Sequence, residues 1–336
     1  MLMYILGALT AYWATSYFFL KNPLILKKKK SWKSQLISKA LNKEQVLHIA
    51  HRGGSRYRVE NTIESFENGL KEGTNVLELD VCMTKDKQII VIHDDNLKRM
   101  CGVSRLTEEF DYKDLPKFQE VIHLDFSVGG KVNSKDYKNP YIPTLDEVFA
   151  RFPGVHMNIE IKTPNEEFIQ MMNKLIVKHK REDITIWGCK NPQMSKRLKE
   201  VNPNINRFFS LGGLKDLVIK YFTGMLPFSE IQEESLQIPI FNREHYEWKK
   251  LESKGFMQHL ACRVYFLAIR LLLSSFVAKP LFEHLRQRGI LVIFWVMNDR
   301  VMFEKCLQFS GCVGIMTDEP ALLTQFLKEK SVYKKD

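Results

Sequence analysis

The chain has 336 residues, enough for one barrel-sized α/β domain of about 250 residues with additions. Its formal charge of +11, from 50 Lys and Arg against 39 Asp and Glu, calls for an anionic partner such as nucleic acid or an anionic membrane surface. The six cysteines are scattered with no CxxC pair, which excludes a zinc ribbon and a disulfide framework. Together with the lack of any Asn-x-Ser/Thr acceptor, this points to a reducing, cytosolic setting.

Residues 1–20 carry no side-chain charge, and only Gly7, Thr10, Thr15 and Ser16 interrupt the apolar run. About 20 such residues cover the hydrocarbon thickness of a bilayer, so the segment 1–21 is expected to be a single-pass transmembrane anchor. It lacks a basic leader and a small-x-small cleavage site, unlike a signal peptide. Eight lysines with no acid follow between Lys21 and Lys43, and 22–45 reads as a basic linker. The positive-inside rule puts the remainder of the chain in the cytosol, on an internal membrane such as the endoplasmic reticulum. Because the charge is concentrated beside the anchor and no nucleic-acid motif is present, anionic headgroups are the expected partner.

From Val46 onward, strand signals alternate with helical stretches, as a parallel α/β architecture requires. Leu77-Glu78-Leu79-Asp80-Val81 and Ile89-Ile90-Val91-Ile92-His93-Asp94 read as two strands around a short turn. Period two places Glu78 and Asp80 on one face. A tight hairpin centred between Asp86 and Lys87 would set His93 opposite Asp80. Lys87 stands where a glycine suits the turn, so it is expected to be left-handed. A second histidine, His51, ends the apolar run from Val46 and leads into Arg52-Gly53-Gly54. Asn61 either caps a helix, with Glu64 three residues on, or belongs to the site; Thr144 with Glu147 reads as a capping box. Residues 94–142 have no clean period and are expected to be a functional insertion. Further strands are expected at 155–161, 184–188, 206–210, 236–241, 290–296 and 312–317. Asn158, Glu160 and Lys162 share a face of the first of these. The apolar stretches 211–228 and 256–282 fall within 211–285. In the second, Arg263 and Arg270 lie seven apart on one stripe of a helix that either rests in a membrane interface or packs the barrel. Residues 328–336 form a tail.

His51-Arg52-Gly53, Glu60-Asn61-Thr62, Glu78-Leu79-Asp80-Val81, Thr84-Lys85-Asp86 and His93-Asp94 resemble, in order and spacing, the glycerophosphodiester phosphodiesterase family. Pro143-Thr144-Leu145, Asn158-Ile159-Glu160-Ile161-Lys162, Trp295-Val296-Met297-Asn298 and Thr317-Asp318-Glu319-Pro320 continue the match across residues 46–327. With its apolar N-terminus, the chain is most similar to the membrane-anchored eukaryotic members that act as lysophospholipases D. The resemblance implies an α/β fold, a (β/α)8 TIM barrel of the phospholipase-C-like phosphodiesterase type, with the insertion covering its mouth. It also implies Glu78, Asp80 and Glu160 as carboxylate ligands of one divalent cation. All-oxygen ligation suits Mg²⁺ or Ca²⁺. Lys162, Arg52 and Trp295 are implied as substrate contacts, and Glu60 and Asn61 as their supports. Val59 replaces the proline often found before Glu-Asn-Thr, which touches no implied ligand.

A phosphodiester is an anion that resists nucleophiles, so the site must neutralise its oxygens. His51 and His93 titrate in the range that general acid and general base work needs, and they take those roles in either order. The expected substrate is a lysophospholipid, split into lysophosphatidic acid and an alcohol. A soluble glycerophosphodiester is the alternative substrate. A non-catalytic membrane-bound binding module is the alternative of another class.

Overall fold

The computed structural model describes residues 1–331 apart from 139, 241 and 242. Its strands are β1 (Leu47–Ala50), β2 (Val76–Met83), β3 (Ile89–Val91), β4 (Val121–His123), β5 (Lys131–Asn133) and β6 (His156–Ile161), then β7 (Thr185–Gly188), β8 (Asn206–Arg207), β9 (Ser235–Ile238), β10 (Leu291–Phe294) and β11 (Gly314–Thr317). The main sheet runs β8-β7-β6-β2-β1-β11-β10-β9, all neighbours parallel. A parallel bridge between Phe208 and Ser235 joins its two ends, which makes the fold a (β/α)8 barrel.

Alternation along each strand sorts the side chains. Leu77, Leu79, Val81, Met157, Ile159 and Ile161 point outward into a core with Phe149, Phe168, Met172 and Ile176 of the covering helices. Leu47, Ile49, Val76, Ile186, Leu291 and Ile293 face inward and make an apolar floor. Going up the same inward faces, period two next presents His51, Glu78, Asp80, Asn158, Glu160 and Trp295. In the β2–β6 register Glu78 pairs with Asn158 and Asp80 with Glu160. The site is therefore the top layer of the barrel interior, and the apolar floor keeps water from entering beneath it.

The floor is closed from below by the segment expected to be a linker. Ser34 caps the helix Gln35–Leu41 by accepting from the Ile37 amide at 3.3 Å. That helix buries Ile37, Ala40 and Leu41 against the floor. The lysines around it are tied to the barrel: Lys27 to Glu230 at 2.7 Å, Lys30 to Glu234 at 2.7 Å and Lys33 to Asp183 at 2.9 Å. Residues 22–45 are thus a folded plug.

The N-terminal helix Leu2–Lys21 exposes Met1 to Leu6 and Leu9, while Ser16 and Leu20 are buried on the barrel. Tyr12 and Ser16 donate to the carbonyls of Thr223 and Gly224, at 2.6 and 2.7 Å. Among the described residues no single helix is long and apolar enough to cross a membrane. The stretch 256–282 is two helices, Gly255–Leu272 and Ser275–Gln287, bent by 70°. Residue 241 of the expected strand 236–241, and 332–336 of the tail, lie outside the described residues.

Two local expectations are corrected. The hairpin pairs Val81 with Val91 and Met83 with Ile89, so Ile92 faces Asp80 and His93 is one position further on. The turn holds three residues between Thr84 and Gln88, with Lys87 left-handed at φ 64, one more residue than a two-residue hairpin allows. Likewise Thr62, not Asn61, caps the helix Ile63–Lys71, with Ser65 completing the box. The Thr144–Glu147 box forms as expected.

Leu41→Ala should therefore lower stability by about 2–5 kcal/mol, because it empties a plug position that cannot collapse. Leu26→Ala, on an exposed residue, should stay within about 0.5 kcal/mol. Urea titration of both variants checks this, and equal small shifts would mean that the plug is dispensable.

Candidate active site

The site begins where β1 ends. His51 to Gly54 make a turn with Arg52 at φ 50, Gly53 at 86 and Gly54 at 94. A Cβ on Gly53 would sit 2.3 Å from the Ser65 hydroxyl, so the turn can seat on the helix Ile63–Lys71 only with glycine there. This geometry aims the Arg52 guanidinium into the barrel, where it is buried. It donates to Glu60 and to Asp125, each at 2.9 Å, and lies 3.4 Å from Asp80. Its backbone amide donates to Glu78 at 2.8 Å. Three surrounding carboxylates hold its charge despite complete burial.

Each histidine leans on a carboxylate. His51 Nδ1 is 2.7 Å from Asp318, which also accepts from Ser55 at 2.6 Å and from Asn298 at 2.8 Å. Burial pulls the His51 pKa down, but the Asp318 charge and hydrogen bond together with the Glu78 charge outweigh it, and the net shift is upward. His93 Nδ1 is 2.5 Å from Asp94, which accepts from Arg99 at 2.6 Å. Binding through Nδ1 leaves Nε2 of each ring for proton exchange.

On the opposite wall Lys162 bridges Asp80 at 2.7 Å and Glu160 at 2.8 Å, and Lys190 lies 3.4 Å from Glu160. Asn61, left-handed at φ 58, donates to Asp80 at 3.1 Å and accepts from its amide. Glu60 pairs with both Arg52 and Arg99. Trp295 stands at the rim, edge-to-face with Phe126, their ring centroids 5.9 Å apart. All ten expected site residues thus sit at one mouth.

Glu78, Asp80 and Glu160 line one wall, but among the described residues only His93, Asp94 and Asp125 bring ligand atoms within 4.8 Å of one another. Arg52 and Arg99 already pair with Asp94 and Asp125. Glu78 is different. Burial, and then the neighbouring Asp80, push its carboxyl up to about 7. Glu78 is therefore the carboxyl of this wall least neutralised by Arg52, Lys162 and Lys190, and the wall's donors are all oxygen. The wall fits a hard divalent cation.

Residues outside the expected set also matter. Arg99, Asp125 and Phe126 come from the insertion, whose own core packs Leu97, Met100, Ile122 and Leu124 against Ile90 and Ile92. Asp318 had a usable signal: it follows β11 as His51 follows β1, and those strands pair with Ala50 beside Thr317. Neighbouring strand ends in one motif series place the two side chains together.

A barrel mouth that neutralises an anion and offers two histidines for opposite proton transfers defines a phosphoric diester hydrolase. The chain belongs to the glycerophosphoryl diester phosphodiesterase family, which matches residues 51–322. It is 35% identical to human (Homo sapiens) lysophospholipase D GDPD1 over 324 residues, covering 96% of each chain. To mouse (Mus musculus) lysophospholipase D GDPD3 it is 31% identical over 336 residues, with 98% and 93% covered. In fold it resembles a putative glycerophosphoryl diester phosphodiesterase from Silicibacter pomeroyi, with TM-score 0.61, 16% identity, and 88% and 98% covered. It also resembles glycerophosphodiester phosphodiesterase from Agrobacterium tumefaciens, with TM-score 0.59, 16% identity, and 83% and 99% covered.

The raised Glu78 pKa has a definite sign. From its ordinary 4.5 up to about 7, the folded chain holds a proton on Glu78 that the unfolded chain has released, so this group's contribution to stability falls as pH rises through that window. Buried His156, His245 and His284, each lowered to about 4, contribute the opposite slope, so the effect is read as a difference between variants. In chelator the urea midpoint of the wild-type protein minus that of Glu78→Gln should fall across the window, and added Mg²⁺ or Ca²⁺ should flatten that fall by favouring the charged carboxylate. A difference that stays constant across the window in chelator would contradict this.

Proposed function

We propose that the chain is a divalent-cation-dependent lysophospholipase D, which converts lysophosphatidylcholine or lysophosphatidylethanolamine to lysophosphatidic acid and the free alcohol. The observation that carries this reading is a cavity of about 1100 Å³ that opens from His93 and Trp295 beneath the helices Arg243–Glu252 and Gly255–Leu272. That is more room than a head group and glycerol need. Near-full-length similarity to lysophospholipases D supports it.

Glu78, Asp80 and Glu160 would hold the cation, which supplies charge to the phosphoryl oxygens. Arg52 and Lys162 add to that charge. One histidine takes the proton of the free glycerol hydroxyl as its oxygen bonds to phosphorus. The other protonates the head-group oxygen as its bond to phosphorus breaks. Water then opens the cyclic phosphate, with the two proton transfers reversed. Asp318 and Asp94 hold the rings in place, and Asp318 favours the charged form of His51.

A membrane position is part of the proposal. Phe256, Leu260, Val264, Leu267 and Leu271 are exposed along one stripe of the helix Gly255–Leu272, and Arg263 and Arg270 are exposed beside it. The exposed first half of the helix Leu2–Lys21 adds a second apolar surface. The single-pass anchor expected over 1–21 is not supported, since no single described helix is long and apolar enough to cross a membrane and Ser16 and Leu20 pack on the barrel; surface contact on the cytosolic side of an internal membrane belongs to the same reading. Alkaline carbonate extraction distinguishes a spanning segment, which resists it, from surface contact, which does not.

His51→Ala and His93→Ala should each lower turnover of lysophosphatidylcholine by about 10²-fold or more, with unchanged circular dichroism. Near-normal turnover at saturating cation would remove that histidine from the reaction. Hydrolysis of glycerophosphocholine with none of the lysophospholipid would replace the reading by the soluble-diester alternative.

A further inference from the structure

Two grooves meet at His93, Asp94 and Arg99. One, of about 670 Å³, is walled by polar and charged groups including Asp95, Asn96, Lys98, Gln119, Lys162 and Thr163. The other is the 1100 Å³ cavity, whose walls set Phe126, Trp248, Leu251, Ala261, Tyr265 and Trp295 among charged groups that include Asp125, Lys190, Lys249 and Lys254. Three of these form a continuous aromatic surface, with Phe126 4.8 Å from Trp248 and 5.9 Å from Trp295 between ring centroids. Phe126 holds its place at φ 58, a left-handed conformation unusual for a bulky residue. His245, in the same cluster, has its pKa lowered to about 4 by burial and contributes a neutral ring. The outer end of the cavity is rimmed by Leu251, 71% exposed, and Tyr265, 46% exposed. Tyr265 lies next to Val264 of the exposed stripe on the roof helix.

We propose that this aromatic arm is the acyl-chain subsite, that the polar groove takes the head group, and that the chain enters from the lipid surface under the roof helix. The proposal rests on the lysophospholipid reading above. An aromatic wall can also hold a quaternary ammonium group. At its outer end the arm carries Lys249 and Lys254 beside the single acid Glu252, a local balance that opposes a cationic head group. Trp248 is also covered on one face by Lys249, whose ammonium is 5.3 Å from the ring centroid. The single chain thus lies along the aromatic floor, with its phosphate at His51 and His93.

The test compares lysophosphatidylcholines of increasing chain length with glycerophosphocholine, all below their micelle concentrations, on the full chain with saturating cation. In the wild-type protein kcat/KM should rise with chain length by up to roughly fourfold per methylene until the arm is full. Ala261→Trp fills the arm, and Leu251→Ala with Tyr265→Ala opens its rim. Both changes should flatten that rise and lower kcat/KM for the longest substrate at least about tenfold more than for glycerophosphocholine. A chain-length slope that persists in the filled arm, or equal losses on both substrates, would overturn the acyl subsite while leaving the lysophospholipase reading intact. A change in preference between choline and ethanolamine at constant chain length would assign the arm to the head group. No lysophospholipid hydrolysis by the wild-type protein, with glycerophosphocholine still cleaved, would overturn both.

Discussion

The buried guanidinium of Arg52 is the interaction on which the site depends. It ties together the end of β1, Glu60 ahead of the helix Ile63–Lys71, Asp80 on β2 and Asp125 in the insertion. Such a charge is tolerable inside a protein only because carboxylates surround it; Arg52 together with Arg99 in turn holds Glu60 ionised, while Asp80 is held chiefly by Lys162. The arrangement fixes four chain segments relative to one another without a disulfide; all six cysteines are free. It also leaves Glu78, held by the Arg52 amide rather than its guanidinium, as the carboxyl least well neutralised.

How the barrel layers itself follows from strand alternation. One inward face carries apolar residues below and polar residues above, so the same period that builds the core also stacks the chemistry on top of it. The plug Gln35–Leu41 completes this from below. Because the floor is dry, charges in the layer above interact more strongly than they would in water.

Much of this was legible in the sequence. Each of the later strands falls within two residues of its expected start, because β-branched runs between turn residues are a strong local signal. Period two set Glu78 with Asp80, and Asn158 with Glu160, on shared strand faces, and the family resemblance brought the two strands to one site. What failed was finer. The register of β2 against β3 slipped by one because a three-residue loop with left-handed Lys87 was counted as a two-residue one. Asn61 and Thr62 are both cap formers, and no local signal says which one the barrel claims; Asp80 settles it by bonding Asn61. The role of 22–45 was missed because lysines that look like a solvated run find acids more than 100 residues away. Phe126, Trp248 and Trp295 meet only through tertiary structure, and no spacing rule brings them together.

The joint between β8 and β9 sets the mechanical character of the ring. β2 and β6 pair over six positions, whereas β8 has two residues and meets β9 through the single Phe208–Ser235 bridge. A closed ring with one weak seam yields there first, and its amides exchange with solvent ahead of those on β2 and β6. Lys190 follows β7 on one side of the seam, and the roof helices follow β9 on the other. The long β2–β6 ladder therefore carries the carboxylates and Lys162, and the elements flanking the short seam carry the walls of the cavity.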